Sequence, residues 1–576
     1  MQKNGRKNGR KKGIGKKAGP VLLAVLLILI AGGAFLVQRY MPTRERMDKA
    51  DYFGILAENE VAVVLQDHLA EQRGILEGDS LYLNYEMVRD YLNSRFYWDE
   101  GNQQMLFTTA LETYEIPVNS QEYTIDGVLQ QYDKMVLFQK DGGLYVSIDF
   151  LAQYTNMEYT LVQEEDSRHV LIRYQWGMQK TAEVRKSTVL RYLGGIKSPV
   201  LTEANKGDTV QVLEELENWS KVVTSDGYVG YISNRYLENI QETEVTREFQ
   251  EPEYSSMRRD KKIQLVWHQI DYQEANAYLL EDISGMTGVN VISPTWFSVT
   301  DNEGNISSLA SEEYVQQAHD AGLEIWGLVS NFSADVNTAT LLASTQARRK
   351  MVNYLVDEAL RLGIEGINLD FEYIREECGY SYVQFVRELS IACRKNQLVF
   401  SIDVPVPMDF NLHFNRKELG TVADYIIIMG YDEHYVGSET AGSVASIGFE
   451  ENGIIGTLED VPAEKIISGV PFYTRIWYTV TDAEGTTHVN SEAIGMDTVD
   501  RTLETYGVTP VWDEETAQYY AAWTTEDGVL CEIWVEEEES LARKARLVSQ
   551  YGLGGIAAWV LGFERSSVWE VLSKNI

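Results

Sequence analysis

The most regular hydrophobic pattern of the chain lies in its C-terminal half, where short apolar runs of β type alternate with helical patterns. The runs are almost continuously apolar, which is typical of parallel strands covered by helices on both faces. Eight runs within about 300 residues predict an α/β fold, a (β/α)8 TIM barrel over residues 262–576. The runs span residues 263–267, 289–296, 323–330, 366–372, 399–404, 425–432, 465–473 and 554–561.

One gap between the runs departs from this pattern. Residues 474–535, between the seventh and eighth runs, contain further β-type stretches where a single helix would be expected. We therefore predict a small inserted α+β subdomain that walls one side of the barrel mouth.

A single uncharged apolar run, residues 21–37, stands near the N-terminus and is just long enough to span a bilayer. Residues 1–20 carry eight Lys or Arg and no acid, the pattern that keeps an N-terminus in the cytoplasm. We predict a single-pass membrane anchor, a stem at residues 38–49 and an extracellular remainder. Cleavage near the small residues 31–34 is the alternative, and it would give a secreted protein.

Residues 50–175 mix β-type and helical patterns and contain an internal repeat. Segments 81–91 and 144–154 align, and each is followed by a further predicted strand, at 104–108 and 169–173. The arrangement resembles the small N-terminal domain of bacterial copper amine oxidases, which implies a stalk domain. The region has no cluster of His or Cys, so no copper site is carried over.

Residues 181–240 contain short β-type runs separated by turn residues, which predicts a small β-barrel. The stretches 218–222 and 226–232 resemble bacterial SH3 domains, and this likeness implies attachment to cell-wall peptide or glycan. The charged stretch that follows, residues 241–261, is predicted to be a linker.

The charge balance narrows the range of partners. The chain has 87 Asp and Glu against 50 Lys and Arg, a net charge of −37. Such a surface repels phosphate, so we expect no nucleic-acid partner and favour a neutral or cationic one such as a glycan. The three cysteines have no CxxC spacing, so we predict neither a disulfide framework nor a metal site. We expect no cofactor and a monomeric protein.

The fourth apolar run ends on a row of polar residues. Side chains alternate along a strand, so Asn368, Asp370 and Glu372 face the inside of the predicted barrel. Burying two carboxyls and an amide costs several kcal/mol unless they are paired or functional. Their crowding is expected to raise the pKa of one carboxyl and to leave a proton for donation near neutral pH.

These residues carry a specific resemblance. Residues 365–372, EGINLDFE, resemble the DGxDxDxE motif of family-18 glycoside hydrolases, the chitinase-like (β/α)8 enzymes. Residues 429–432 resemble the family's MxYD, residues 469–475 its GxPxYxR, and Trp559 the tryptophan of its last strand. The likeness covers residues 262–576 and is nearest to the branch found in bacterial spore and cell-wall enzymes.

The resemblance implies roles for individual residues. Glu372 would protonate the glycosidic oxygen and later activate water. Asp370 would bind the N–H of the substrate's 2-acetamido group, and Tyr431 would donate to its oxygen. That oxygen would attack the anomeric carbon, which gives a retaining, substrate-assisted reaction. The residues assigned to substrate binding are Trp559, Asp432, Arg475, Asn368, Met429 and Trp296.

Two positions depart from the family motif. Asn368 stands where many members have Asp, so Asp370 is expected to lack the carboxylate neighbour that shares its proton. Glu365 replaces the first Asp, but its parity places it on the side that faces the helices.

Three functions of different class remain open from the sequence. The first is hydrolysis of a β-1,4-linked polysaccharide that contains N-acetylglucosamine. Peptidoglycan fits the stalk and SH3-like domains, and chitin fits the barrel alone. The second function is non-catalytic glycan binding at the cell surface, and the third is an anchored scaffold for an envelope complex.

Overall fold

The computed structural model describes residues 18–54, 56–164, 167–481 and 485–576, so most of the predicted basic tail lies outside the described residues. The chain divides into two compact units. The first ends at Glu251 and lacks Arg95–Pro117 and Glu122–Gln131. Those two stretches, together with Pro252–Ile576, form the second unit.

The first described element is the helix Ala18–Tyr40. Its stretch Leu22–Tyr40 is the one described helix that is long and apolar enough to cross a membrane, and none of it is buried against protein. A helix that is apolar on all sides and uncovered is suited to lipid. The finding agrees with an anchor and equally with a signal sequence.

A mixed sheet follows a short helix, Lys49–Phe53, in the first unit. Its strands, in order across the sheet, are Glu158–Glu164, Ser167–Arg173, Glu60–Leu65, His68–Glu77, Ser80–Asn84, Gly143–Ser147 and Leu137–Lys140. The two aligned segments of the predicted repeat lie side by side, because Ser80–Asn84 pairs with Gly143–Ser147. A helical segment follows each of them, at Tyr85–Met87 with Val88–Leu92 and at Ile148–Tyr154.

Both strands that were predicted to follow the repeated segments are present, but they lie in different sheets. Residues 169–173 return to the mixed sheet, but Gln104–Thr108 belongs to a separate antiparallel meander in the second unit. The meander strands are Phe96–Asp99, Gln104–Thr108, Thr113–Pro117, Glu122–Ile125 and Val128–Gln131. Short strands joined by tight turns pair with their neighbours in sequence. The meander also contacts barrel helices, where the Tyr97 hydroxyl lies 2.9 Å from Ser381 Oγ.

The SH3-like region is an antiparallel sheet that extends past both predicted bounds. Its strands, in order, are Val200–Ala204, Thr188–Arg191, Val229–Ser233, Trp219–Val223, Thr209–Glu215, Gly177–Val184 and Leu237–Val245. A 3-10 turn, Asn234–Tyr236, precedes the last strand. Phe53 and Leu171 from the mixed sheet region pack in one hydrophobic cluster with Val222 and Ile232. The stalk and SH3-like regions, predicted as separate domains, therefore share a core.

Within the described residues of the second unit, eight parallel strands close into a barrel. They are β1 Ile263–His268, β2 Val291–Pro294, β3 Glu324–Ser330, β4 Gly366–Asp370, β5 Val399–Pro405, β6 Tyr425–Met429, β7 Ile466–Pro471 and β8 Gly555–Trp559. Each strand pairs with the next in the chain, and β8 pairs with β1. The predicted (β/α)8 barrel is confirmed.

Helices cover the outside of the barrel. The α-helices are Leu279–Asp282, Glu312–Asp320, Thr338–Ala343, Thr345–Leu362, Glu376–Lys395, Arg416–Val422, Ile447–Leu458, Glu538–Tyr551 and Ser567–Asn575. The 3-10 helices are Gln273–Tyr278, Asp409–Phe414 and Ala463–Lys465. A hairpin of Phe297–Val299 and Ile306–Ser308 follows β2.

The inserted subdomain is present between β7 and the helix Glu538–Tyr551. Its antiparallel strands, in order, are Thr487–Gly495, Tyr473–Thr481, Leu530–Val535, Gln518–Thr524 and Val511–Asp513, with the helix Met496–Tyr506. Its first strand begins one residue before the predicted start at 474. The subdomain has its own small core, which includes Ile476, Val499 and Ile533.

Alternation along the barrel strands separates two apolar cores. Ile367 and Leu369 of β4 pack against the outer helices. Leu265 and Ile427 point to the inside of the barrel. The inward positions near the carboxyl ends of the strands are polar, and they form the site described next.

Candidate active site

Strand β4 aims its polar side chains at the barrel mouth as its alternation predicts. Asn368 and Asp370 are buried on its inward face, while Ile367 and Leu369 lie in the outer core. Glu372 follows two residues after the strand, where its side chain opens to solvent and lines the pocket. A strand end in a barrel of this type is where catalytic groups sit.

A pocket of about 170 Å³ lies at the carboxyl ends of the strands. Six of the residues predicted for the site line it: Asp370, Glu372, Met429, Tyr431, Asp432 and Trp559. Four lining residues had no predicted role in catalysis: Trp267, Phe332, Asp403 and Tyr473. The strand ends that meet here are far apart in sequence, so only the closed barrel brings these side chains together.

Four carboxyls line this pocket: Asp370, Glu372, Asp403 and Asp432. Burial raises the pKa of Asp370 well above its usual range, and the charges of Asp403 and Glu372 raise it further. Burial also raises the pKa of Glu372, with a smaller contribution from the charge of Asp432. The site therefore retains protons that isolated carboxyls would lose. Within the described residues, no group of three or more His, Cys, Asp or Glu is arranged to hold a metal ion.

Asn368 lies beneath the pocket and is fully buried. Its Oδ1 accepts hydrogen bonds from Trp267 Nε1 at 2.9 Å and Ser293 Oγ at 3.0 Å. Its Nδ2 donates to Asp403 Oδ1 at 2.8 Å. An indole N–H can only donate, so the amide oxygen must face Trp267 and the amide nitrogen must face Asp403. Asn368 was predicted to bind substrate, but its polar atoms form hydrogen bonds inside the protein and it does not line the pocket.

Two tyrosines and one aspartate stand around Glu372. The Tyr473 hydroxyl donates to Asp432 Oδ1 at 2.6 Å. Burial raises the pKa values of Tyr431 and Tyr473 well above the usual range, so both hydroxyls stay protonated. Tyr431 is therefore available as a hydrogen-bond donor in the pocket.

Tryptophans form one wall of the pocket. Trp559 ends β8 and is partly exposed, while Trp267 of β1 is buried behind it. Their ring centroids are 5.9 Å apart, and the ring planes are inclined by 58°. An indole that is packed on one side and exposed on the other offers a flat surface to a sugar ring.

Besides Asn368, two further residues predicted to bind sugar do not line the pocket. Trp296 is 1% exposed, its Nε1 donates to Asn276 Oδ1 at 2.9 Å, and its ring meets the Tyr314 ring edge-on. It packs in the core between the barrel and the outer helices rather than in the pocket. Arg475 lies on the first strand of the inserted subdomain, where its Nη1 donates to Ser491 Oγ at 3.2 Å.

The sequence held a signal for one of the missed residues. On β5, Ser401 and Asp403 alternate with apolar residues in the same way as the polar residues of β4. Tyr473 stands inside the GxPxYxR match, but no role was assigned to it. Phe332 follows β3 in a loop, and only the tertiary structure brings it to the pocket.

A second cavity, of about 450 Å³, adjoins the pocket and shares Glu372, Met429, Tyr431 and Asp432 with it. Its remaining wall is mainly apolar and includes Val406, Met408, Phe410, Phe414, Tyr435 and Phe449. Phe410 is 80% exposed, which is unusual for a phenyl ring that no ligand covers. The two cavities together form a cleft with Glu372 between them.

Comparisons of the sequence with known proteins also indicate a glycoside hydrolase. The profile of the Glycosyl hydrolases family 18 matches residues 317–564, and the Bacterial SH3 domain profile matches residues 194–238. The Uncharacterized glycosylase YvbX of Bacillus subtilis is 23% identical over 50% of this chain and 85% of that protein. The Cortical fragment-lytic enzyme of Bacillus subtilis is 26% identical over 41% of this chain and 55% of that enzyme.

A solved structure supports the fold. The C-terminal domain of a Desulfitobacterium hafniense protein matches 55% of this chain and 99% of that domain, with 22% identity and a TM-score of 0.50. The likeness of residues 50–175 to copper amine oxidases stays a prediction. The barrel of this chain thus contains a region, residues 317–564, that matches family 18 of the glycosyl hydrolases, and a region that matches the bacterial SH3 domain precedes it.

Proposed function

We propose that the barrel hydrolyses a β-1,4-linked polysaccharide that contains N-acetylglucosamine. One observation carries the proposal: Asp370, Glu372, Tyr431 and Trp559 line a single pocket. The set provides a proton donor, two groups for an acetamido substituent and a flat wall for a sugar ring. Asp370 and Glu372 come from β4 and the segment after it, Tyr431 from the segment after β6, and Trp559 from the end of β8. The carboxyl ends of the strands are where catalytic groups of such barrels are found.

The reaction is proposed to be retaining and assisted by the substrate. Glu372, whose pKa burial raises, protonates the leaving glycosidic oxygen. Asp370 accepts the acetamido N–H, and Tyr431 donates to the acetamido oxygen as that oxygen attacks the anomeric carbon. Glu372 then takes a proton from the water that opens the cyclic intermediate. No second carboxylate acts as a nucleophile in this scheme.

The apolar cavity is proposed to receive the leaving-group side of the glycan. The bond that Glu372 protonates must lie beside its carboxyl, with the reacting sugar on the Trp559 side. The next sugar then lies on the other side of Glu372, where Phe410 and Tyr435 are exposed. Apolar and aromatic side chains suit the hydrophobic face of an uncharged pyranose.

Cell-wall glycan is the proposed natural substrate. The SH3 domain and the relative named for cortical fragment lysis both favour peptidoglycan over chitin. The match spans 55% of that relative, so its activity is carried over here only as a proposal. The apolar helix Leu22–Tyr40 would then hold the enzyme at the outer face of the membrane.

Turnover of an N-acetylglucosamine oligomer tests the proposal. We expect the purified chain to cleave it, and we expect Glu372→Gln to lower kcat by about 10³-fold because the proton donor is lost. Glu376→Gln is the matched control, because Glu376 is an exposed acid in the first turn of the following helix. Product analysis on purified cell wall and on chitin identifies the glycan that is cut.

The same assay separates the other two classes of function. Binding of the oligomer by the native chain without turnover would favour a glycan-binding protein. Absence of both binding and turnover would leave an anchored scaffold.

A thiazoline that mimics the cyclic intermediate tests substrate assistance. We expect it to inhibit competitively, because Asp370 and Tyr431 would hold its ring as they hold the acetamido group. Efficient cleavage of a de-N-acetylated oligomer would contradict the substrate-assisted reaction while leaving hydrolysis itself intact.

A further inference from the structure

Asp403 stands beside Asp370 on the barrel floor. Strands β4 and β5 are parallel and in register, with Leu369 opposite Ile402, so the next pair in register is Asp370 and Asp403. Neighbouring strands lie about 4.8 Å apart. Both carboxyls line the same pocket and are almost fully buried, at 5% and 2% exposed. Two acids are therefore held side by side with little access to water.

The hydrogen bonds around this pair are unequal. Asn368 can offer only its N–H to Asp403, because Trp267 occupies the amide oxygen. Burial and the charge of Glu372 raise the pKa of Asp403, and this bond from Asn368 opposes them by favouring its charged form. The Oδ1 atom of Asp370 is buried and has no partner among the described residues. These unequal surroundings favour a negative charge on Asp403 and a proton on Asp370 when no substrate is bound.

We propose that Asp403 stores the proton of Asp370 during the reaction. When the acetamido N–H of the substrate arrives, Asp370 must accept a hydrogen bond, and its proton moves to Asp403. The pair holds one proton and one negative charge before and after the step, so no other reactant is consumed. Asp403 acts through Asp370 and is a positioning residue. This inference rests on the proposed function.

The other ionisable groups that face Asp403 are consistent with its holding the proton of Asp370. Glu372 faces it from the segment after β4, and Tyr431 faces it from the segment after β6. Tyr382 faces it from the helix after β4, and burial keeps this hydroxyl protonated by raising its pKa. Arg416 is near Tyr382, but its guanidinium donates to a backbone oxygen at 2.8 Å. The groups around Asp403 that are left to exchange a proton are thus the carboxyls.

Asp403→Asn is the direct test. The substitution keeps the shape of the side chain but removes the carboxylate that accepts the proton of Asp370. We therefore expect kcat on an N-acetylglucosamine oligomer to fall about 10²-fold with little change in KM. Glu372 loses a like charge, so the alkaline limb of the kcat profile should move to lower pH by about one unit. Ser401→Ala is the matched control, since Ser401 is buried on the same face of β5 and its Oγ has no partner among the described residues.

A charge-swap variant distinguishes the proton store from a structural role. Asn368→Asp combined with Asp403→Asn returns one carboxylate to the pocket floor on the neighbouring strand. We expect it to recover at least a tenth of native kcat and to shift the alkaline limb back. An unchanged pH profile in Asp403→Asn, or no recovery in the folded double variant, would overturn the proposal.

Infrared spectroscopy provides a readout that does not depend on turnover. Beside the bands of Glu372 and Glu450, the native chain should show a further protonated-carboxyl band at neutral pH, from Asp370, that is lost in Asp403→Asn. If that variant does not fold, Asp370→Asn should lose the same band, and its retention there would overturn the pair. If the native chain shows this band but does not cleave the oligomer, the proposed function is wrong, while the proton-sharing pair of Asp370 and Asp403 is supported.

Discussion

At the residue scale, the proton on Glu372 depends on a neighbouring charge. Burial raises the pKa of Glu372, and the charge of Asp432 raises it further. Asp432 is held in place by the Tyr473 hydroxyl at 2.6 Å. An acid with a raised pKa stays protonated to higher pH, which is what a proton donor in this pocket needs.

Asp432→Asn should therefore shift the pH dependence of the enzyme. Tyr473 can still donate to the new amide oxygen, so mainly the charge is lost. The pKa of Glu372 then falls toward its ordinary value, and the alkaline limb of kcat/KM moves to lower pH. Kinetics across pH measure the shift, with the exposed Asp271→Asn after β1 as control. If the alkaline limb of the kcat/KM profile is unchanged in Asp432→Asn, the charge of Asp432 does not act on Glu372.

At the element scale, the helix Ile447–Leu458 places an acid against the barrel. Glu450 is buried, and its Oε1 accepts a hydrogen bond from Ser468 Oγ of β7 at 3.0 Å. Burial raises the pKa of Glu450 to about 7, against the attraction of Lys544. The contact between this helix and β7 is therefore sensitive to pH.

Glu450→Gln should remove part of the pH dependence of stability. The unfolded chain ionises this acid from about pH 4.5 and the folded chain only near pH 7, so native stability falls as the pH rises between these values. As the pH rises through this range, the free energy of unfolding of the variant should increase by about 3 kcal/mol relative to that of the native chain.

Urea unfolding at about pH 5 and about pH 8 measures the gain in the Glu450 variant. Glu459→Gln, an exposed acid just after the same helix, should leave the difference constant. A Glu450 variant whose advantage does not change with pH would mean that this acid is already ionised in the folded chain.

At the scale of the whole molecule, the second unit is assembled from separate stretches of sequence. The meander strands that begin at Phe96 precede the SH3 domain in the chain, yet they pack on helices of the barrel. The Thr345 hydroxyl donates to Asp99 Oδ2 at 2.7 Å, and the Tyr380 hydroxyl donates to the Phe96 carbonyl oxygen at 2.6 Å. The catalytic domain therefore includes residues that lie far outside its family match.

Asp99→Ala should destabilise the barrel even though Asp99 lies outside its sequence. The change leaves the buried Thr345 hydroxyl without its acceptor, which costs about 1–3 kcal/mol. Asp126→Ala is the matched control, because Asp126 joins the same meander to Lys395 at 2.7 Å through exposed side chains. That pair should contribute less than about 1 kcal/mol. Equal effects of the two changes in urea unfolding would contradict the buried contact.

From the apolar N-terminal helix we expect the protein to be anchored in a membrane. The full chain expressed in bacteria should remain with membranes after carbonate extraction. Replacing Leu27 and Leu29 by Lys should release it, because each charge costs about 3 kcal/mol at the centre of a membrane helix. A native chain that is soluble and begins beyond residue 34 would instead identify a cleaved signal.

The amino-acid sequence by itself determined the barrel, the inserted subdomain, the SH3 domain and the inward direction of Asp370 and Glu372. These follow from local periodicity and short motifs, which act over a few neighbouring residues. The tertiary structure alone decided that Asp403 stands beside Asp370, that Trp296 faces the helices, and that the meander belongs with the barrel. Such contacts join positions far apart in the chain, and a single sequence carries no record of which distant side chains meet.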